Sequence, residues 1–123
     1  MMDIKERLGI AIDEHGVMLG MSKKNLKHAV TDRLEIPETV DAVRAARDAL
    51  IETGTILEED LGAGVYVAAV NAGASNANVA LVVAMKDGHG IALAACAKEG
   101  LIKQSTAKKA IGRIKKSASR QAG

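Results

Sequence analysis

Between Val65 and Ala97 the sequence offers no polar face to a sheet. Val65–Val70 is a continuous apolar run. Val79, Leu81, Val83 and Met85 then alternate with Ala80, Val82 and Ala84. Ile91, Leu93, Ala95 and Ala97 alternate with Ala92, Ala94 and Cys96. Side chains of a strand point to opposite faces with a period of two. Each of the last two runs therefore has a large-residue face and a small-residue face, and neither is polar. A sheet solvated on one side would carry polar residues at every second position. Both faces must be covered: the large-residue face by helices, and the Ala-rich face by another close-packed helix or a second subunit. Matching the large residues pairs Met85 with Ile91 and Val83 with Leu93.

The material for that core is small. Tyr66 is the one aromatic residue among 123, and there is no Phe or Trp. Val, Leu, Ile, Met and many Ala must do the packing. Burial stabilises by about 25 cal/mol per Å² of apolar surface, so small side chains contribute less each. Self-association would offset the shortfall, and a homo-oligomer is expected. The length fits a single domain, 1–123. The lone Cys96 excludes an intramolecular disulfide framework and fits a reducing compartment. The charged N-terminus lacks the apolar core of a secretory signal, and no apolar run approaches the ~20 residues of a membrane span. The expected location is cytoplasmic, without a membrane.

Elsewhere the patterns are shorter. Leu8, Ile10 and Ile12 alternate, and Val17–Met21 follows a loop ending in Gly16, which reads as a first β-hairpin. Ile4, Leu8 and Ala11 or Ile12 also fall at helical spacing. Ser22 suits the N-cap of a helix over 23–34 with Leu26, Val30 and Leu34 as its buried stripe. Ile36-Pro37 ends it. A second helix is expected over 38–53, with Pro37 in its first turn, Glu38 and Asp41 complementing its dipole, and Gly54 after its end. Residues 55–64, with three consecutive acids and two glycines, read as a connection. A last helix over 105–119, capped by Ser105 or Thr106, has Ala107, Ala110 or Ile111, Ile114 and Ala118 on one side. The expected class is α+β: a mainly antiparallel sheet of about five strands (two hairpins) with two to three packed helices.

The small net charge of +2 conceals an asymmetry. Residues 1–99 carry ten basic and fifteen acidic side chains; residues 100–123 carry seven basic and no acidic ones. An acidic body thus bears a basic tail. Lys108, Lys109, Arg113, Lys115 and Lys116 are its candidate contacts for nucleic-acid phosphates. With no aromatic residue in the tail, base stacking is not available to it. Nucleic acid is therefore a weaker partner than a small ligand, and docking of the tail on the acidic body is the alternative.

The loop Asn71–Asn78 links two apolar runs with small residues and amides. Asn71, Gly73, Ser75, Asn76 and Asn78, with His89, form the candidate site for a small polar or anionic molecule, because small residues let backbone N–H groups approach a ligand. The loop is neither a Walker A sequence nor GxGxxG. The alternative is a connection whose Gly and Asn merely supply positive φ. His15 and His89 each precede a Gly in an expected hairpin tip. They could meet near Asp13, Glu14 or Asp87, although no HxH, HExxH or CxxC spacing implies a metal. Cys96 lacks an obvious base. No cofactor is implied.

No residue motif marks a family. The expected order of elements, β-β-α-β-β-β-α, resembles that of the roadblock and profilin-like small domains, which implies a regulator or dimeric scaffold. The function expected is thus a self-associating binding or regulatory domain. A small enzyme using His89, Asp87 or Cys96 at a subunit interface, and a nucleic-acid-associated protein using the basic tail, are the alternatives.

Overall fold

The three apolar runs are the interior of a single sheet. In a computed structural model of the chain, which describes residues 3–37, 39–73, 76, 78–88, 90–98 and 105–122, they form β3 (Val65–Ala72), β4 (Asn78–Asp87) and β5 (Gly90–Ala97). Two further strands, β1 (Val30–Glu35) and β2 (Gly54–Asp60), complete a five-stranded sheet in the order β1-β5-β4-β3-β2, with every neighbouring pair antiparallel. Three α-helices pack on it: α1 (Ile4–His15), α2 (Ala42–Thr53) and α3 (Thr106–Ala122). The class is α+β, as expected.

Both faces of the sheet are covered by this chain's own helices. On one, Leu8, Ala11 and Ile12 of α1 pack with Val65, Val67, Leu81, Val83, Ala94 and Cys96. On the other, α2 contributes Ala45, Ala46, Ala49 and Leu50, and α3 contributes Ala107, Ala110, Ile111, Ile114 and Ala118. They meet Tyr66, Ala68, Val70, Ala80, Val82, Ala84, Leu93 and Ala95. Small residues on both the helices and the sheet allow close approach, which is how a core almost without aromatics fills its space. The sheet needs no second copy of the chain to cover it.

The β4–β5 register differs by one residue from the expected one. Ala84 stands opposite Leu93, Val83 opposite Ala94, Val82 opposite Ala95 and Leu81 opposite Cys96. Large residues therefore face small ones, not each other. The physical cause is the turn. Asp87 pairs with Gly90, leaving two residues between them, the first of which, Gly88, has φ +62°. Two-residue hairpin turns want positive φ at that position, and loop length fixes the register. The expected pairing would need a three-residue loop. With both faces apolar, the shift exposes nothing polar to the core.

The N-terminal hairpin is absent, and α1 stands in its place. Leu8, Ala11 and Ile12 are buried while Ile10 is 37% exposed and Val17 and Met18 project into solvent. That is helical periodicity, with the alternation at 8, 10 and 12 incidental. A short 3-10 turn over Val17–Leu19 replaces the second expected strand. The helix expected over 23–34 is also divided. Ser22 does cap a helical segment, and Asn25 Oδ1 accepts from its N–H at 2.9 Å, but that 3-10 segment ends at His28 and β1 begins at Val30. Val30 and Leu34 share a face in either structure, since a spacing of four suits both periods. α2 starts at Ala42, not 38. Asp41 is its N-cap and accepts from Arg44 N at 3.1 Å, while Pro37 belongs to a preceding turn that Val40 N closes. Glu38 lies outside the described residues.

Residues read as a connection form β2. Its acids lie on a sheet edge, where charge prevents further strands from adding. Gly54 opens this strand with extended backbone, and a Cβ there would stand 2.0 Å from Ala69 O. Gly54 does follow the end of α2, as expected, and the close approach of β3 is what requires a glycine there. Between Ile56 and Glu58 the β2–β3 ladder is interrupted by a bulge. Ile56 opposes Ala68 and Glu58 opposes Val67, so Leu57 is the extra residue. Among the described residues no helix is long and apolar enough to cross a membrane.

Candidate functional site

The Asn71–Asn78 loop and the basic helix, separate in the sequence, meet at one end of the molecule. The β3–β4 ladder extends to Ala72 opposite Asn78, so Asn71 and Asn78 belong to the strands. Gly73 has φ +81° and Asn76 φ +55°, and Asn76 N donates to Gly73 O at 3.2 Å. Both residues use the left-handed region that Gly and Asn tolerate. Asn78 Nδ2 donates to Thr106 Oγ1 at 3.3 Å, joining the loop to the first residue of α3. Asn71 lies on β3 with its side chain exposed. Its carbonyl accepts from Arg113 Nη1, which also donates to Thr53 O at 3.2 Å. Arg113 thereby ties α3 to the ends of β3 and α2, where a cation complements the α2 dipole. Ser75 and His89 lie outside the described residues.

The basic residues of α3 divide into two groups. Arg113 is bound as above, Lys115 Nζ lies 3.2 Å from Asp32 Oδ2, and Arg120 pairs with Glu52. The Arg33 N–H bond at 2.7 Å and then the Lys115 contact hold the Asp32 carboxyl below the usual carboxylate range. These contacts realise the docked alternative for three of the six basic residues of α3. Lys108, Lys109 and Lys116 are exposed and have no ion pair among the described residues. They share the outward side of α3 with exposed Gly112. Lys109 and Lys116 are separated by two turns, about 10 Å along the axis. Lys108 and Lys109 stand in the first turn, beside the N-terminal dipole and the loop.

Of the candidate catalytic groups, Cys96 and Asp87 are described, and each is engaged elsewhere. Cys96 is fully buried, its Sγ 3.9 Å from Met21 Sδ, and burial pushes its thiol up to about 11. A thiol in that state is not a nucleophile at neutral pH. Asp87 is held by Arg33, Oδ2 to Nη1 at 2.6 Å and carbonyl to Nη2 at 2.7 Å. A groove of about 480 Å³ between β1 and α3 is lined by Arg33 and Lys115, both already paired, over Leu34, Ile36 and Ala118. His28 is exposed on the 3-10 segment.

His15 meets residues that sequence reasoning passed over. Its Nε2 lies 3.3 Å from Glu58 Oε1, and Arg7 pairs with Glu58 Oε2. Glu58 sat in a stretch read as a loop. The signal that could have found it was the β-branched pair Thr55-Ile56 that opens the stretch, while the bulge at Leu57 removes the alternation a regular strand would show. No family model matches the sequence, and no curated protein or solved structure matches it at a significant level.

Proposed function

We propose that this protein is a non-catalytic binding module that takes a phosphate-bearing anion along the outward side of α3, with the Asn71–Asn78 loop contacting the ligand at the helix's N-terminal end. The supporting observation is the division of α3: Arg113, Lys115 and Arg120 are bound by the body, while Lys108, Lys109 and Lys116, on one side of the helix, have no ion pair among the described residues. Unpaired lysines on a rigid helix attract phosphates without a need for base contacts. Tyr66, the only Phe, Tyr or Trp residue, is 2% exposed, so no large aromatic ring is presented to stack on a base. The ligand is read through its phosphates, and the loop amides supply whatever selectivity there is.

Fluorescence anisotropy with a labelled oligonucleotide duplex, and competition by a nucleoside triphosphate, tests this. Binding through three lysines should weaken with salt at a log–log slope of roughly −2 to −3. The triple substitution Lys108→Ala, Lys109→Ala, Lys116→Ala should abolish it and leave the fold unchanged. Loss on Asn76→Ala with the lysines intact would assign recognition to the loop. Absence of binding to either probe at low salt would end the proposal.

A further inference from the structure

The cluster at the C-terminal end of α1 lies on the opposite face of the sheet from α3 and is independent of the reading above. Two local features assemble it. The first is the bulge in β2. Strict alternation from Ile56, which faces α2 and α3, would return Glu58 to that same side. The extra residue places Glu58 opposite Val67, on the side of α1, and Glu59 opposite Tyr66, on the side of α2. Bulges re-aim side chains in this way. The second is the end of α1, where Glu14 and His15 occupy the last turn before the chain leaves through Gly16, whose N–H still bonds Ile12 O at 2.8 Å.

The donor atoms of Glu14, His15 and Glu58 all lie within 4.8 Å of one another. His15 Nε2 and Glu58 Oε1 are 3.3 Å apart. Two ligand atoms bound tetrahedrally to Zn²⁺ at the usual ~2.0–2.1 Å are separated by about 3.4 Å. Two carboxylates converging on one point repel unless a cation or proton lies between them. Arg7 answers only part of that charge: it pairs with Glu58 Oε2 and leaves Oε1 turned towards His15. Its Nη1 is buried without a hydrogen-bond partner. A carboxylate oriented from behind by a hydrogen bond is the usual support of a metal ligand. Glu14 is exposed and His15 and Glu58 are half-buried, so the point of convergence is open to solvent.

We propose that Glu14, His15 and Glu58 form a site for a divalent cation of the Zn²⁺ class, with Arg7 positioning Glu58. One imidazole nitrogen and two carboxylate oxygens are the donors of a borderline cation; Mg²⁺ and Ca²⁺ favour oxygen alone, and the site offers no thiolate for a softer ion. Three protein ligands leave one tetrahedral position for water or a ligand atom. A bound ion would also clip α1 to the edge strand, so that metal binding and thermal stability rise together.

The test is titration of the chelator-stripped, full-length protein with Zn²⁺ by calorimetry and with Co²⁺ by visible absorption. The expected results are 1:1 saturation, the d–d bands of four-coordinate Co²⁺, and a higher thermal midpoint that a chelator reverses. His15→Gln, Glu14→Gln and Glu58→Gln should each weaken Zn²⁺ by at least ~10-fold. His28→Gln should not. If Glu58→Gln unfolds the chain by stranding Arg7, the other two variants decide. The proposal is overturned by a lack of saturation up to ~100 µM Zn²⁺, by binding unchanged in His15→Gln, or by Mg²⁺ binding as tightly as Zn²⁺.

Discussion

The register of β4 and β5 makes a sharp prediction, because a shift of one residue moves every partner to the other face. Leu93 is fully buried opposite Ala84, beneath α2 and α3. Leu93→Ala removes three methylene equivalents, about 2.4 kcal/mol of transfer energy at 0.8 each. The cavity left behind brings the expected loss to about 3–5 kcal/mol. Ala84→Leu alone adds the same volume to a filled site and should cost about 1–3 kcal/mol. Combined, the two changes restore the volume of one cross-strand pair. The double variant should recover about 1–3 kcal/mol relative to the sum of the singles. Val83→Leu with Leu93→Ala should recover nothing, since Val83 lies on the α1 side opposite Ala94. Urea unfolding of these variants, with the slope checked for constancy, measures these terms. Additivity in the Ala84 pair, or recovery in the Val83 pair, would show the strands to be paired in the other register.

Two further outcomes rest on local environment. Cys96, with its thiol raised to about 11 by burial, should resist a thiol-specific reagent at neutral pH in the native protein and react as soon as denaturant unfolds it; native-state modification at the rate of a free thiol would contradict the burial. Asp32, whose pKa is lowered first by the Arg33 N–H and then by Lys115, supports stability above its unfolded pKa of about 3.9 and ceases to as pH falls through the lower folded value. Carboxyl NMR of Lys115→Ala should show only partial return of its midpoint, because the backbone bond remains; a full return would make Lys115 the dominant cause.

Where the sequence was legible, one period clearly prevailed. Val79–Met85 and Ile91–Ala97 alternate over seven residues with no helical stripe to compete, and both are strands of the interior sheet. Ala107, Ala110, Ile111, Ile114 and Ala118 repeat only as a helix does, and all five are buried in α3. Difficulty arose where two periods coincide. Leu8 and Ile12 are four apart and fit either structure; Ala11, too small to weigh in a hydrophobic pattern, decides for the helix by being fully buried. Val30 and Leu34 pose the same ambiguity, and backbone pairing with β5 resolves it in favour of a strand. β2 was hidden because its acids match a loop in composition, although an edge strand favours them as well. The candidate sites were legible only in parts. The loop and the basic helix could each be named from the sequence, but the Asn78–Thr106 bond that joins them spans 28 residues. The Glu58–His15 contact spans 43 and depends on a bulge that no local propensity announces.

That bulge gives β2 an unusual relation to its own reading frame. Glu58 and Glu59 are adjacent acids of one short strand, yet one is paired with Arg7 of α1 and the other, at 2.7 Å, with Arg47 of α2. The strand thus stitches the helical layers above and below the sheet to one another, and Leu57 sets the phase of that stitch. Suppose the bulge were ironed flat with every residue kept. Leu57 would then take the place opposite Val67, Glu58 would fall beside α2 and Glu59 beside α1, and each arginine would meet the neighbour of its proper partner. Deleting Leu57 does the reverse: Ile56 and Glu58 become neighbours in a regular ladder, and both acids keep their sides. In three dimensions Leu57 is a letter that the ladder skips. Erasing it leaves the message intact, whereas reading it puts both acids out of frame.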